Sequence, residues 1–263
     1  MESPSRLCAW LILALVSAPP PAAATVFSVD DREVVPKDAS ELAGIAMVSE
    51  TRVGAYGTAF MVAPCLALSA RHVVHHADPV GQRLTLRFAP WQRTNAGNSS
   101  AATVIAAGGA AASAGDVSQD WVLLRLDRCL GATLGYFPLS REPLRVPPSG
   151  PIVPALVAIG FPEDRAAARR PVVDPDCRVR MIASTGLLHD CATMPGNSGG
   201  PMMAWSAARR RYEVYAINVA GFADRVPRAF DLASANGAVA IAPIVAVLDA
   251  IEAHNGGAAT AVH

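Results

Sequence analysis

Apolar and polar positions alternate in short runs separated by turn residues along most of this chain. Arg83-Leu84-Thr85-Leu86-Arg87-Phe88 is the clearest run, with the period of two that a half-buried strand shows to one core face. Runs over residues 44–48, 57–62, 65–70, 121–126, 155–159, 179–182, 200–204, 213–219 and 238–241 predict further strands. Such a series of short strands predicts an all-β sandwich or barrel. Helical spacing marks one segment near the end. Pro243 opens it, Ile244, Val247, Leu248 and Ile251 form its apolar stripe, and Asn255-Gly256 is its expected stop. The Ala/Gly/Ser run 106–115 predicts a loop. Residues 141–154 contain Pro143, Pro147, Pro148, Pro151 and Pro154, and proline has no amide to give a sheet ladder. This stretch reads as a linker between β-rich halves at residues 25–140 and 155–263.

The first 24 residues belong to targeting. An apolar run over residues 7–18 follows Arg6 and precedes Pro19 to Pro21 and Ala22-Ala23-Ala24. It is short for a bilayer span and reads as a secretory signal cleaved after Ala24. A secreted or periplasmic chain, with no membrane association after signal removal, is therefore expected. Cys8 leaves with the signal, so Cys65, Cys129, Cys177 and Cys191 remain. An even number of cysteines in an exported chain implies two disulfides among three possible connectivities. The expected pairs are Cys65 with Cys129 and Cys177 with Cys191, one within each half. No two of these cysteines are spaced as a zinc-ligand pair.

Twenty-two basic residues balance 22 acidic ones, which removes the charge signature of a nucleic-acid binder or a polybasic membrane surface. His72, His75 and His76 lie close together, but no neighbouring Glu or Cys completes a ligand set, so no metal is expected. Asn98-Ser99-Ser100 has the form of a glycosylation sequon.

Three short motifs carry candidate chemistry. Ser69-Ala70-Arg71-His72 ends a strand-like run, Asp120 immediately precedes the apolar run Trp121-Val122-Leu123-Leu124, and Gly196-Asn197-Ser198-Gly199-Gly200-Pro201 is a glycine-rich bend. A lone histidine or a lone aspartate at a strand end is usually structural. In the bend, Gly196 and Gly199 flank a serine and allow the tight turn in which the amides of Gly196 and Ser198 converge.

Together, in the order His, Asp, Ser, these blocks resemble the signatures of trypsin-like serine proteases. The closer likeness is to the bacterial secreted branch that includes the V8-like glutamyl endopeptidases, which the Asp30-Asp31-Arg32 start also resembles. The resemblance implies two six-stranded antiparallel β-barrels, an active site in the cleft between them, and a C-terminal helix on the second. It assigns Ser198 as nucleophile, His72 as general base and acid, Asp120 as the residue orienting His72, and the Gly196 and Ser198 amides as the oxyanion hole. A serine hydroxyl is a weak nucleophile and needs an adjacent base. Histidine, which titrates near neutrality, can accept that proton and return it to the leaving amine. Asp116 competes for the aspartate role, but Asp120 abuts the strand as in the family. The expected protein is a serine endopeptidase acting on polypeptides as a monomer, without a cofactor. A protease fold without turnover and an esterase using the same three groups are the alternatives.

The resemblance also places a specificity pocket. Ala192, six residues before the nucleophile, occupies its base, where trypsin-like enzymes selecting Arg or Lys carry a carboxylate. In the strand Ala216-Ile217-Asn218-Val219-Ala220-Gly221, Asn218 replaces the histidine of glutamate-specific relatives, with Val219 and Gly221 following it along the cleft. Thr193 remains as a hydrogen-bond donor. These substitutions imply preference for an uncharged, small or apolar side chain. Asn197 stands where mammalian digestive enzymes have an aspartate that pairs with the freed N-terminus, and it cannot form that ion pair.

Overall fold

The computed structural model describes residues 25–259, apart from residues 28, 50–55, 75, 92–96, 110–115, 143, 145–154, 169, 185 and 222–228. The expected signal peptide, His75 and most of the expected proline linker lie outside the described residues. After a two-residue strand β1 (Glu33–Val34), the first half forms six strands: β2 (Ile45–Ser49), β3 (Tyr56–Ala63), β4 (Leu66–Ser69), β5 (Arg83–Phe88), β6 (Ser99–Ala107) and β7 (Val122–Leu126). They make a closed antiparallel barrel in the order β2-β3-β4-β7-β6-β5, with β5 pairing back onto β2. Alternation explains the closure. Leu84, Leu86 and Phe88 of β5 turn inward while Arg83 and Arg87 face water. Phe60, Leu68, Leu86, Phe88, Leu123 and Leu124 are at most 1% exposed and fill the interior. A short helix α1 (Gly131–Leu134) follows.

The second half contains β8 (Leu156–Gly160), β9 (Val172–Cys177), β10 (Val179–Ala183), β11 (Gly186–His189), β12 (Pro201–Ser206), β13 (Arg211–Ala220) and β14 (Asn236–Ala240). They form one sheet in the order β1-β9-β8-β12-β13-β14-β11-β10. Strands β9 and β10 are a single stretch of chain separated only by Arg178. Its first part pairs with β8 and its second with β11. The expected six strands are recovered when this bent stretch is counted once, and β1 is an addition along β9. Helix α2 (Ala242–Ala259) closes the chain. Ile244 and Leu248 are buried, and Val247 and Ile251 pack against the same core. Asn255-Gly256 does not end this helix as expected, because it continues to Ala259. The cost of glycine in a helix, about 1 kcal/mol, is a weak stop by itself.

One large apolar core joins the halves, since Ile217, Val219, Val239, Ile241 and Ile244 belong to the same cluster as the first barrel's interior. A smaller cluster gathers Leu156, Val179, Leu187, Met202 and Ala216 around the Cys177–Cys191 disulfide. Cys65 pairs with Cys129. Both disulfides have the expected partners.

The N-terminal segment is strapped to the second half. Arg32, with its side chain 2% exposed, forms ion pairs at 2.8 Å with both Asp30 and Asp164. Two charges on a buried guanidinium offset the cost of removing it from water. Further upstream, the carbonyl of Thr25 accepts from the Thr193 amide and from Asn236 Nδ2, each at 3.0 Å. Among the described residues, no helix is long and apolar enough to cross a membrane.

Candidate active site

Strand β4 ends at Ser69, and a single 3-10 turn, Arg71–Val74, carries His72. Strand β7 pairs with β4, Ser69 lying opposite Val122, so Asp120 just ahead of β7 arrives beside His72. Asp120 Oδ2 lies 2.6 Å from His72 Nδ1, and Oδ1 accepts from the His72 backbone amide at 2.9 Å. One carboxylate therefore fixes both the ring and the main chain that bears it. Because an ionised carboxylate only accepts, the ring donates its Nδ1–H to Asp120 and turns Nε2 away from it. Asp116 is engaged elsewhere, its Oδ1 accepting from the amide and hydroxyl of Ser118.

The serine bend comes from the second half and is fastened to the first. Thr58 of β3 donates its amide to the Ser198 carbonyl at 2.8 Å and its hydroxyl to the Gly196 carbonyl at 2.8 Å. The same hydroxyl accepts from the Phe161 amide at 3.0 Å, and Ser69 donates to the Thr58 carbonyl at 2.7 Å. Gly199, at φ +87°, lies where a Cβ would collide with the Thr58 carbonyl, the Ser69 hydroxyl and the Ala70 amide. No side chain larger than hydrogen fits there, so glycine after the serine is what lets the bend reach the strand that leads into the His72 turn. A Cβ on Gly57 would meet Val73, the neighbour of His72, as well as the Ser198 carbonyl. The serine bend and the histidine turn thus share one wall.

Within the bend, the amides of Asn197, Gly199 and Gly200 donate to Met194, Asn218 and Asn197 carbonyls. Those of Gly196 and Ser198 donate to no described group. Two unused N–H groups beside a nucleophile candidate are what stabilisation of a developing oxyanion requires. Ser198 Oγ also donates to no described group. Hydrogen bonds of this kind are often long without substrate and tighten when it binds.

Of the residues expected to form the pocket, Asn218 is tied to the bend, its carbonyl accepting from the Gly199 amide and its amide donating to the Gly200 carbonyl. Thr193 Oγ1 is 3.2 Å from Asn218 Oδ1, and both residues are buried. Ala192 packs with Met194 and with Val26 of the N-terminal segment. Val219 is 2% exposed and belongs to the apolar core, and Gly221 lies just past β13.

Sequence reasoning passed over several groups around this site. Thr58 and Ser69 have the look of ordinary strand residues, and only the pairing with the second half reveals their hydrogen bonds. Asp174 on β9 is 6% exposed and accepts from the Ala192 amide at 2.6 Å. Burial, with Asp31 and Asp190 nearby, pushes its carboxyl up to about 6. His189 is fully buried with neither ring nitrogen hydrogen-bonded to a described residue, although Asn218 and Gly237 are close, and burial lowers its pKa to about 4. Among the described residues, no group of three His, Cys, Asp or Glu side chains could hold a metal ion. His76 Nδ1 lies 2.6 Å from the Asp78 carbonyl.

This fold, with a histidine held by aspartate at the rim of one barrel and a serine bend supplied by the other half, is that of the chymotrypsin-like serine proteases, which are hydrolases. A family model for the trypsin-like peptidase domain matches residues 57–208, and the chain belongs to that family. Among solved structures, it is similar to a Glu endopeptidase determined in complex with MPD, with a TM-score of 0.63 at 17% identity. That match covers 87% of this chain and all of the other. A serine endoprotease from Yersinia pestis gives a TM-score of 0.52 at 16% identity, covering 82% of this chain and 66% of that one. At these identities, the likeness concerns the fold. A search of curated proteins returns no match.

Proposed function

We propose that the protein is a secreted serine endopeptidase in which Ser198, His72 and Asp120 form the catalytic triad. The observation that carries this reading is the pair of hydrogen bonds that Asp120 accepts from His72, at 2.6 Å from the ring and 2.9 Å from the backbone amide. With Nδ1–H held by Asp120, His72 Nε2 accepts the Ser198 proton as Oγ attacks the scissile carbonyl carbon. The resulting oxyanion receives hydrogen bonds from the Gly196 and Ser198 amides, a donor of this type being worth about 10²–10³ in rate. As the tetrahedral intermediate collapses, protonated His72 gives its proton to the leaving amine, and an acyl-enzyme on Ser198 remains. Water, deprotonated by the same imidazole, attacks the ester and releases the second product.

The signal segment directs the chain out of the cytoplasm, cleavage after Ala24 starts the mature enzyme, and the enzyme acts as a monomer without a cofactor. The domain division is a His/Asp half over residues 25–140, a linker over 141–154 and a Ser half over 155–263. Ala192, Thr193, Asn218, Val219 and Gly221 define a substrate pocket with no charged side chain among them, which favours an uncharged residue before the scissile bond. The test is labelling by a fluorophosphonate together with a cleavage-site profile on a denatured proteome. Labelling lost in Ser198→Ala, with cuts after uncharged residues, is the expected result. Absence of labelling in the wild type overturns the triad, and a profile dominated by Lys, Arg or Glu overturns the pocket.

A further inference from the structure

Asp174 is a costly residue to bury. It lies on β9, is 6% exposed, and makes no salt bridge with any described residue. Isolated carboxylates are rarely tolerated in interiors, and those that persist are concentrated where function needs them. Its Oδ2 accepts from the amide of Ala192 at 2.6 Å, a short charge-assisted contact. Three residues further along β9, Cys177 is bonded to Cys191. Residues 191 and 192 are therefore held to β9 twice, once covalently and once through Asp174.

We infer that Asp174 is a positioning residue of the specificity pocket, its ionised carboxylate holding the Ala192 main chain so that the pocket base has the shape substrate requires. The inference rests on the reading of residues 192 and 193 as that pocket. The groups facing Asp174 make its ionisation adjustable. The N-terminal segment contributes Asp31, the strand register brings Glu33 of β1 opposite Val173, and the residue after β11 contributes Asp190. On its own strand lies Asp176, and β8, which pairs with β9, has no ionisable side chain in Leu156–Gly160. Burial, with the acidic neighbours, raises the carboxyl to about 6, so its charge is present above that pH and fades below it. A carboxyl raised above its unfolded value of 3.8 makes folding less favourable as pH rises from about 4 to about 6. Stability and pocket shape thus make opposite demands on one group.

The conflict gives the test its discrimination. Asp174→Asn keeps an acceptor but removes the charge. With the mature enzyme and a peptide bearing an uncharged residue before the scissile bond, KM at pH 7.5 should rise about five- to tenfold, because charge-assisted hydrogen bonds are roughly twice as strong as neutral ones. The same variant should keep kcat within about twofold and melt at the wild-type temperature or above it. At pH 5 the two KM values should converge, since the wild-type carboxyl is then protonated. Asp174→Leu, lacking any acceptor, should show the larger KM at both pH values. Equal KM for wild type and Asp174→Asn at both pH values overturns the inference, and so does a joint loss of kcat, KM and melting temperature. Fluorophosphonate labelling run in parallel separates the two failures. Labelling with unchanged KM rejects the role of Asp174 alone, and no labelling of the wild type rejects the protease reading and this inference with it.

Discussion

The two halves of the molecule bury different things. The first barrel encloses Ile45, Phe60, Leu68, Leu86, Phe88, Leu123 and Leu124, and its buried polar side chains are short hydroxyls such as Thr58, Ser69 and Ser100. The second half buries Asp174, His189, Thr193, Asn197, Ser198, Glu213, Asn218 and Asn236. Several of these polar groups are unsatisfied. Both nitrogens of His189 and the Oδ1 atoms of Asn197 and Asn236 lack hydrogen bonds to the described residues. A buried polar atom without a partner costs about 1–3 kcal/mol, and among the described residues the second half holds four such atoms against one, Trp91 Nε1, in the first. On the proposed function, the reason is division of labour. The first half needs a rigid rim to present one imidazole and one carboxylate. The second must supply the nucleophile, unused amides and a pocket, all of which require polar groups taken out of water.

The largest effect expected from this contrast is catalytic. Ser198→Ala should lower kcat by about 10⁶-fold, as loss of a triad nucleophile does elsewhere, while leaving the melting temperature unchanged or slightly higher. A fall in melting temperature comparable to that of a core truncation would break the contrast, because the serine would then be a structural residue.

Phe60→Ala should do the reverse. Phe60 is fully buried in the first barrel, and its truncation should cost about 3–5 kcal/mol in stability. Activity per folded molecule should change much less than in Ser198→Ala. Chemical denaturation and active-site titration on the same samples measure both quantities.

The disulfides sharpen the comparison because their loops differ. Cys65–Cys129 spans 64 residues and Cys177–Cys191 spans 14. Loop-closure entropy predicts losses of about 4 and about 3 kcal/mol when each is replaced by alanines. The longer loop should therefore matter more for folding. The shorter one, beside Ala192, should be the one that also raises KM. Equal KM in the two double-alanine variants would separate the second disulfide from the pocket.

The same contrast governs what could be read in the sequence. In the first half, alternation is clean in β5, and the predicted and observed ranges coincide at Arg83–Phe88. Strand β6 is masked in the sequence because Ser-Ser-Ala-Ala-Thr-Val-Ile-Ala-Ala has the small residues of a loop, and its pairing with β5 and β7 makes it a strand. In the second half, β9 reads Val-Val-Asp-Pro-Asp-Cys, with acids and a proline that argue against a strand. The chain tolerates them because the pairing with β8 shifts register between Leu156 and Ala158, a bulge where a missing amide does little harm. The candidate residues His72, Asp120 and Ser198 stand out in the sequence because their motifs are local. The partners Thr58, Asp174 and His189 do not, since nothing in their neighbouring residues signals contacts that only the assembled sheets create.

The smallest effect is a pH dependence located at His189. Burial holds its pKa at about 4, below the ordinary value of 6.5, so the folded chain keeps the ring neutral while the unfolded chain takes up a proton. The unfolded state then binds more protons between about pH 6.5 and about pH 4, and stability falls as pH is lowered through that window. Asp174 acts with the opposite sign between about pH 6 and pH 4, which blunts the loss in the wild type. His189→Leu removes the protonation difference and two unsatisfied nitrogens without greatly changing side-chain volume. Its melting temperature should exceed that of the wild type, by a small margin at pH 7.5 and a larger one at pH 5. A margin that stays constant or narrows on acidification would mean that the ring is not the group responsible. The polar burden of the second half would then have to be sought in its asparagines, Asn197 and Asn236, whose unpaired oxygens carry no dependence on pH.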